Sequence, residues 1–132
     1  KYIAPQAIEM VMSGDQYIEQ IAVIGDQRKF VSALIVPAYS LLEKYAEEKG
    51  LAVGSREELV RNKEVLRLIE THIEENQKNL ASYEKIKRFT LLSEPFTMGS
   101  ELTDTLKLRR SVILKKYADS IEKMYEEASN PS

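Results

Sequence analysis

The sequence predicts a small α+β domain in which a three-stranded, mostly antiparallel sheet carries helices packed against it, with residues 1–132 forming one unit. Three observations lead there. A chain of 132 residues with 43% hydrophobic and 30% charged side chains has the size and composition of one folded core, not of two domains or a disordered segment. Two β-rich runs, Ile18 to Ile24 and Phe30 to Val36, flank a polar loop that contains Gly25. The stretches 63–80 and 108–128 repeat apolar residues at helical spacing.

Tyr2-Ile3-Ala4 is short and extended, and Pro5 suits the first position of the helix that follows. That helix runs through Gln6 to Met12 with Ile8, Val11 and Met12 on its period, and Gly14 is placed to close it in the left-handed conformation. Ile18 to Ile24, the loop Gly25-Asp26-Gln27-Arg28-Lys29, and Phe30 to Val36 read as an antiparallel hairpin. Ile21 to Ile24 is apolar at every position, the pattern of a strand covered on both faces, and Pro37 stops its partner. Ser40-Leu41-Leu42-Glu43 and Ser55-Arg56-Glu57-Glu58 share the serine-to-glutamate spacing of a capping box. A helix is therefore expected from Ser40 to Lys49, stopped by Gly50, and a shorter one after Ser55. Lys63 to Leu80 is a longer helix with Leu66, Ile69, Ile73 and Leu80 along its stripe. Ile86 to Leu92 is a strand ended by Glu94-Pro95, and residues 96–105, with neither period, form a loop or short hairpin. The last helix is expected from Lys107 or Leu108, with Ile113, Tyr117, Ile121, Met124 and Ala128 on its inner face and Asn130-Pro131-Ser132 as a frayed end.

Composition removes several function classes. With no cysteine there is no disulfide, zinc ribbon or thiol nucleophile. His72 is the only histidine, so no metal site is expected and His72 reads as a surface or half-buried helix residue. No apolar run approaches the roughly 18 residues of a membrane-spanning helix. Glycines are scattered, which excludes a phosphate-cradling loop, and no nucleophile elbow is present. Paired carboxylates such as Glu47-Glu48, Glu57-Glu58 and Glu74-Glu75 lie on helix surfaces and read as solvated. The net charge of −2 argues against a general nucleic-acid binder. Residues 85–116, however, hold eight basic against three acidic side chains, a local +5 that either meets an anion such as a phosphate or is a solvated face.

By itself the chain has no complete catalytic set. What remains is Glu101-Leu102-Thr103-Asp104-Thr105-Leu106-Lys107-Leu108-Arg109-Arg110, a lysine at the tip of an irregular loop followed by two arginines entering a helix. A loop-borne ammonium on a four-carbon stem can be inserted into a cleft of another domain and act there as a point charge, or it can be a plain surface lysine.

This segment closely resembles the last core motif, roughly P-x-T-x-x-G-K-x-x-R, of the small C-terminal domain of adenylate-forming enzymes, the family of acyl-CoA synthetases, luciferases and peptide-synthetase adenylation domains. Thr103, Lys107 and Arg110 fall at its threonine, lysine and arginine, while Leu106 stands where the family has glycine. The opening Lys1-Tyr2-Ile3-Ala4-Pro5-Gln6-Ala7-Ile8-Glu9 resembles the segment after the family's hinge, and residues 21–36 its hairpin. Leu80-Ala81-Ser82-Tyr83-Glu84-Lys85-Ile86 takes the place of its L-x-x-Y-x-x-P element, with Ile86 for the proline. The versions E-L-T-x-T-L-K-x-x-R and K-Y-I-A-P look most like bacterial long-chain fatty-acid–CoA ligases.

The resemblance implies a mobile lid for an N-terminal AMP-binding domain, which with the hinge lies outside residues 1–132; the start at Lys1 instead of a methionine fits a piece of something longer. It implies ATP, fatty acid and coenzyme A as substrates, with Mg2+ accompanying ATP on the other domain. It makes Lys107 the catalytic lysine of adenylation, with Thr103 and Arg110 as supporting motif residues. By position, Arg28, Tyr83, Glu84 and Lys85 match places where relatives contact coenzyme A. Arg28 can pair with a phosphate or be an exposed turn charge, and Tyr83 can stack on the ligand or pack at a strand entrance. Further implications are a cytoplasmic location with peripheral attachment at the inner membrane face, no transmembrane segment, no nucleic-acid partner, and no activity for the isolated domain. The alternatives are another adenylate-forming enzyme, luciferase-like or amino-acid-activating, and a non-enzymatic anion- or nucleic-acid-binding module.

Overall fold

The computed structural model describes residues 2–129, with side chains as far as Glu126. Lys1, the side chain of Ala128 and the terminal Asn130-Pro131-Ser132 lie outside the described part. Helix α1 (Pro5–Met12) is followed by strands β1 (Ile18–Ile24) and β2 (Val31–Pro37), helices α2 (Tyr39–Glu48), α3 (Arg56–Leu59) and α4 (Lys63–Asn76), a 3-10 turn (Ser82–Glu84), strand β3 (Ile86–Leu91), and helices α5 (Arg110–Lys116) and α6 (Ala118–Ser129).

The α+β class and the three-stranded sheet are as the sequence predicts, in the order β1-β2-β3. The hairpin is antiparallel, with Ile24 opposite Ser32 and Ile18 opposite Pro37. β3 pairs with β2 in parallel, Val31 beside Ile86 and Ile35 beside Leu91, so the sheet has one pair of each kind. The crossover through α2, α3 and α4 supplies the long connection that parallel strands require. β2, in the centre, is buried at every position, and Ile21 to Ile24 are buried too, so helices cover both faces there. α1 packs on β1 and α6 on β3. Tyr2-Ile3-Ala4 is not part of the sheet.

Several boundaries move for identifiable reasons. α1 ends at Ser13 in right-handed geometry, with its N–H bonded back to Met10, so Gly14 does not act as a left-handed stop. α2 starts a residue before Ser40, from Ala38 with no side-chain cap, and the Ser40 capping box does not form; Gly50, at φ +68°, does stop that helix. At α3 the Ser55 hydroxyl accepts from Glu58 N–H at 3.1 Å, while the Glu58 carboxylate accepts from Gly54 N–H at 2.5 Å, one residue before the cap. α4 ends four residues short of Leu80 because Gln77 turns inward: its amide accepts from Ile86 N–H at 2.8 Å and donates to Ile86 C=O at 3.1 Å. That clamp, 1% exposed, fixes where β3 begins. The C-terminal helix begins at Arg110, not at Lys107, and breaks at Tyr117 (φ −106°, ψ 23°) into α5 and α6.

Candidate functional site

The loop that carries Lys107 is built on a second glutamine clamp. Gln20 on β1 accepts from Phe96 N–H at 2.8 Å and donates to Phe96 C=O at 3.3 Å, anchoring the chain as it leaves β3. Leu102 then bridges to both Met98 and Leu108, which makes the predicted loop a pair of minimal β contacts. Its centre is Glu101, a carboxylate only 1% exposed. One oxygen accepts from Lys116 Nζ at 2.7 Å and from the Tyr117 hydroxyl at 2.5 Å, and the other from Thr97 N–H at 3.0 Å. Its backbone carbonyl accepts from Arg109 N–H at 2.7 Å, which keeps residues 107–109 out of the helix. Burial alone would raise the Glu101 pKa; the bonds from Lys116, Tyr117 and Thr97 outweigh it and bring it down to about 2. Burial, and then the Glu101 charge, push the Tyr117 hydroxyl well above its ordinary range.

At the tip, Thr103 explains the motif's threonine. Its N–H donates to Lys107 C=O at 2.8 Å, its Oγ1 accepts from Lys107 N–H at 3.0 Å, and its C=O accepts from Leu106 N–H at 2.9 Å. The Thr103 and Thr105 hydroxyls are also paired, at 3.1 Å. Closing so tight a turn drives Leu106 to φ +63°, the left-handed region, at the place where the family has glycine. That conformation costs a side-chain-bearing residue about 1–2 kcal/mol. The backbone of Lys107 is thus held at both its N–H and C=O, while its side chain is exposed and makes no hydrogen bond or ion pair among the described residues.

Arg110 faces inward. Its guanidinium forks onto Glu9 of α1, at 2.7 and 3.0 Å, and the same carboxylate accepts from Val23 N–H at 2.8 Å. The motif arginine therefore fastens the first residue of α5 to α1 and β1. Glu9, Gln20 and Glu101 are among the site residues that sequence reasoning missed. Glu9 closes the quoted opening segment, and Glu101 opens the lysine segment. The basic stretch is partitioned, with Arg110 on Glu9, Lys116 on Glu101, Arg109 on the Ser100 carbonyl and Lys87 on the Ser82 carbonyl.

The residues expected at coenzyme A sit elsewhere. Arg28 lies in the hairpin loop, bonded to Glu122 of α6 and stacked 4.6 Å from the Tyr125 ring centre. Tyr125 holds that loop by donating to Phe30 C=O at 2.7 Å. Tyr83, 46% exposed, Glu84 and Lys85 occupy the turn leading into β3, where the Glu84 carboxylate accepts from Ala81 N–H at 3.2 Å. Because β2 and β3 are parallel, the Arg28 loop and the Tyr83–Lys85 turn enter the sheet at the same end. Gln20, which roots the Lys107 loop, pairs with Val36 at the opposite end. The structure places Thr103 and Lys107 towards one end of the sheet and Arg28 with Tyr83, Glu84 and Lys85 at the other, while Arg110 lies between them and lines one cavity with Arg28.

His72 is half-buried on α4, its Nδ1 2.8 Å from Asp15. Among the described residues no cluster of three or more His, Asp or Glu side chains could hold a metal ion, and no helix is long and apolar enough to cross a membrane.

An α+β unit of this size, with a three-stranded sheet and helices packed on it, has the C-terminal domain architecture of adenylate-forming enzymes, and comparison with known proteins agrees. The sequence model described as AMP-binding enzyme C-terminal domain matches residues 1–129, and the chain belongs to that family. It is 35% identical over 130 residues to long-chain-fatty-acid–CoA ligase 5 of Mus musculus, covering 96% of this chain and 19% of that protein. It is 31% identical over 129 residues to long chain acyl-CoA synthetase 8 of Arabidopsis thaliana, covering 95% of this chain and 18% of that one. The chain thus spans about a fifth of the curated relatives it matches. Among solved structures, the adenylation domain of a carboxylate reductase from Mycobacterium chelonae superposes with a TM-score of 0.75 at 28% identity, over 96% of this chain and 18% of that one. The A-PCP didomain of the Segniliparus rugosus carboxylic acid reductase, in complex with AMP, gives 0.75 at 22% identity over 98% and 17%, which shows the shared fold.

Proposed function

We propose that this chain is the mobile C-terminal domain of a long-chain fatty-acid–CoA ligase. In the first half-reaction a fatty carboxylate displaces pyrophosphate from ATP to give acyl-adenylate. In the second, the coenzyme A thiol displaces AMP to give acyl-CoA. Lys107 serves the first. Two anions, carboxylate and α-phosphate, must approach one another, and an ammonium between them offsets a repulsion that grows into the transition state. The observation that carries this reading is the exposed Lys107 side chain, without a partner among the described residues, on a backbone held at both ends by Thr103.

The second group, Arg28 with Tyr83, Glu84 and Lys85, is the face offered to coenzyme A after the domain turns. Its place at the other end of the sheet supports that assignment, because one rigid body can then present the two groups in succession. ATP enters with Mg2+ on the AMP-binding domain, and the separate C-terminal domain is inactive. The enzyme works in the cytoplasm, in peripheral contact with the inner membrane face.

In the full-length enzyme, Lys107→Ala is expected to slow acyl-adenylate formation by about 3–4 kcal/mol of barrier, some two to three orders of magnitude. Thioester formation from supplied acyl-adenylate should be spared. Equal loss in both steps removes the assigned role. A second reading, an adenylation domain that passes its acyl group to another acceptor, draws on the 28% identity and TM-score of 0.75 to the M. chelonae carboxylate reductase domain. Pyrophosphate exchange with a panel of acids, followed by a test for acyl-CoA release, separates the two.

A further inference from the structure

The groove beside Lys107 holds a feature that the domain's own packing does not use. Met10 on α1, Met98 after β3 and Leu106 at the loop tip are 75%, 59% and 63% exposed. All three line one open groove of about 560 Å3, whose floor is formed by the buried Ile18, Phe96 and Leu102. Leu106 combines two unfavourable properties. Its backbone is left-handed at φ +63°, where glycine or asparagine is at ease, and its large apolar side chain stands in water. A glycine would hold the same turn with neither. Strain and exposure kept together, one residue from the unpaired lysine, point to a contact made outside the domain.

The curated relatives are several times longer than this chain. The chain spans 18–23% of the curated relatives, so most of such a polypeptide is available to cover the groove. The groove offers an anionic lipid surface no cation, since its charged lining residues are Glu9, already paired with Arg110, and Glu19. We propose that Met10, Met98 and Leu106 form an apolar collar that seals against the AMP-binding domain of the same polypeptide as Lys107 enters its site. This deepens the Lys107 reading and rests on it. The collar expels water from around the ammonium, and in that drier site its attraction for carboxylate and phosphate is stronger.

The test uses full-length enzyme carrying Leu106→Gly, Leu106→Asn, or Met10→Gln with Met98→Gln. Five readouts are taken: ATP–pyrophosphate exchange, thioester formation from supplied acyl-adenylate, thermal unfolding, co-sedimentation with anionic phospholipid vesicles, and oligomeric state by analytical ultracentrifugation. Exchange is expected to fall about tenfold or more, the loss of one well-buried apolar side chain at a closing interface. Thioester formation should stay within about twofold, and the Leu106 variants should unfold at the same temperature or higher, since both replacements tolerate the left-handed backbone. A slower exchange in a protein that is no less stable cannot be a folding defect. Unchanged exchange in these variants, beside a Lys107→Ala enzyme that has lost it, overturns the collar and leaves the lysine's role standing. Unchanged exchange in Lys107→Ala removes that role and the collar with it. Intact exchange with lost vesicle binding or a lost dimer assigns the groove to a lipid surface or a second copy, and equally overturns the proposal.

Discussion

Replacing Glu101 by glutamine isolates the charge at the root of the lysine loop. Glutamine keeps the shape and still accepts from Thr97 N–H, but it no longer pairs with the Lys116 ammonium or attracts the Tyr117 hydroxyl. The Glu101 carboxyl lies near 4.5 when free and at about 2 in the fold. That depression corresponds to about 3 kcal/mol of stability at neutral pH, at about 1.4 kcal/mol for each tenfold change in proton affinity. For a domain of this size it is on the order of 10 °C in Tm. The sign follows from proton binding. Below 4.5 the unfolded chain takes up a proton that the folded chain refuses, so the contribution is complete above 4.5 and disappears as pH falls towards 2. Urea unfolding of the wild-type chain and Glu101→Gln, followed by circular dichroism between pH 7 and 3, should show a gap of about 3 kcal/mol at pH 7 that shrinks to less than half by pH 3. Other carboxylates titrate in both proteins and cancel in the difference. A gap below about 0.5 kcal/mol at pH 7, or one that stays constant across the range, refutes the ion-pair account.

Gln77→Leu removes both arms of a buried clamp and strands the Ile86 N–H and C=O, so a loss of about 2–4 kcal/mol is expected in urea unfolding, with fastest amide exchange gained at the start of β3. Glu9→Gln breaks the fork to Arg110 while leaving an acceptor for Val23 N–H; it should cost about 1–3 kcal/mol and slow adenylation in the full-length enzyme more than thioester formation, because α5 is no longer fastened beside the lysine. Arg28→Ala should barely change stability, since its Glu122 partner is solvated, yet raise KM for coenzyme A and leave pyrophosphate exchange intact.

The hairpin was legible because its information is local: unbroken apolar runs, a polar loop and Pro37 define it without reference to anything distant. The direction of β3 was not, because pairing to β2 is decided by a crossover of three helices and by Gln77, whose side chain reads as an ordinary polar helix residue. The break at Tyr117 was hidden by its own amphipathicity, since Ile113, Tyr117, Ile121 and Met124 keep a continuous helical stripe through it. The Ser40 box failed because a capping pattern competes with a chain already turned into helix at Tyr39, whose hydroxyl donates to Leu92 C=O at 2.6 Å. At the site, Lys107 and Thr103 stood out through their motif, but the reason for the threonine emerged only with its bonds to Lys107. Glu101 and Glu9 were invisible because a buried carboxylate and a solvated one have the same letter, and only the partners, far along the chain, distinguish them.

The Glu9–Arg110 fork joins residues 101 positions apart, and the Tyr125–Phe30 bond spans 95. Translation delivers the chain from its N-terminus at roughly 5–20 residues per second, so α1 and the hairpin wait on the order of 5–20 s for the segments that fasten them. During that interval the apolar strand Ile21 to Ile24 has only part of its cover, and this is the period in which a nascent chain is most exposed to wrong partners. The order of synthesis also means that the loop around Lys107 acquires its last support, Tyr117, after every other part of the sheet has been made. A message truncated before that codon still encodes all three strands but leaves Glu101 without the Tyr117 hydroxyl that helps to hold the lysine loop.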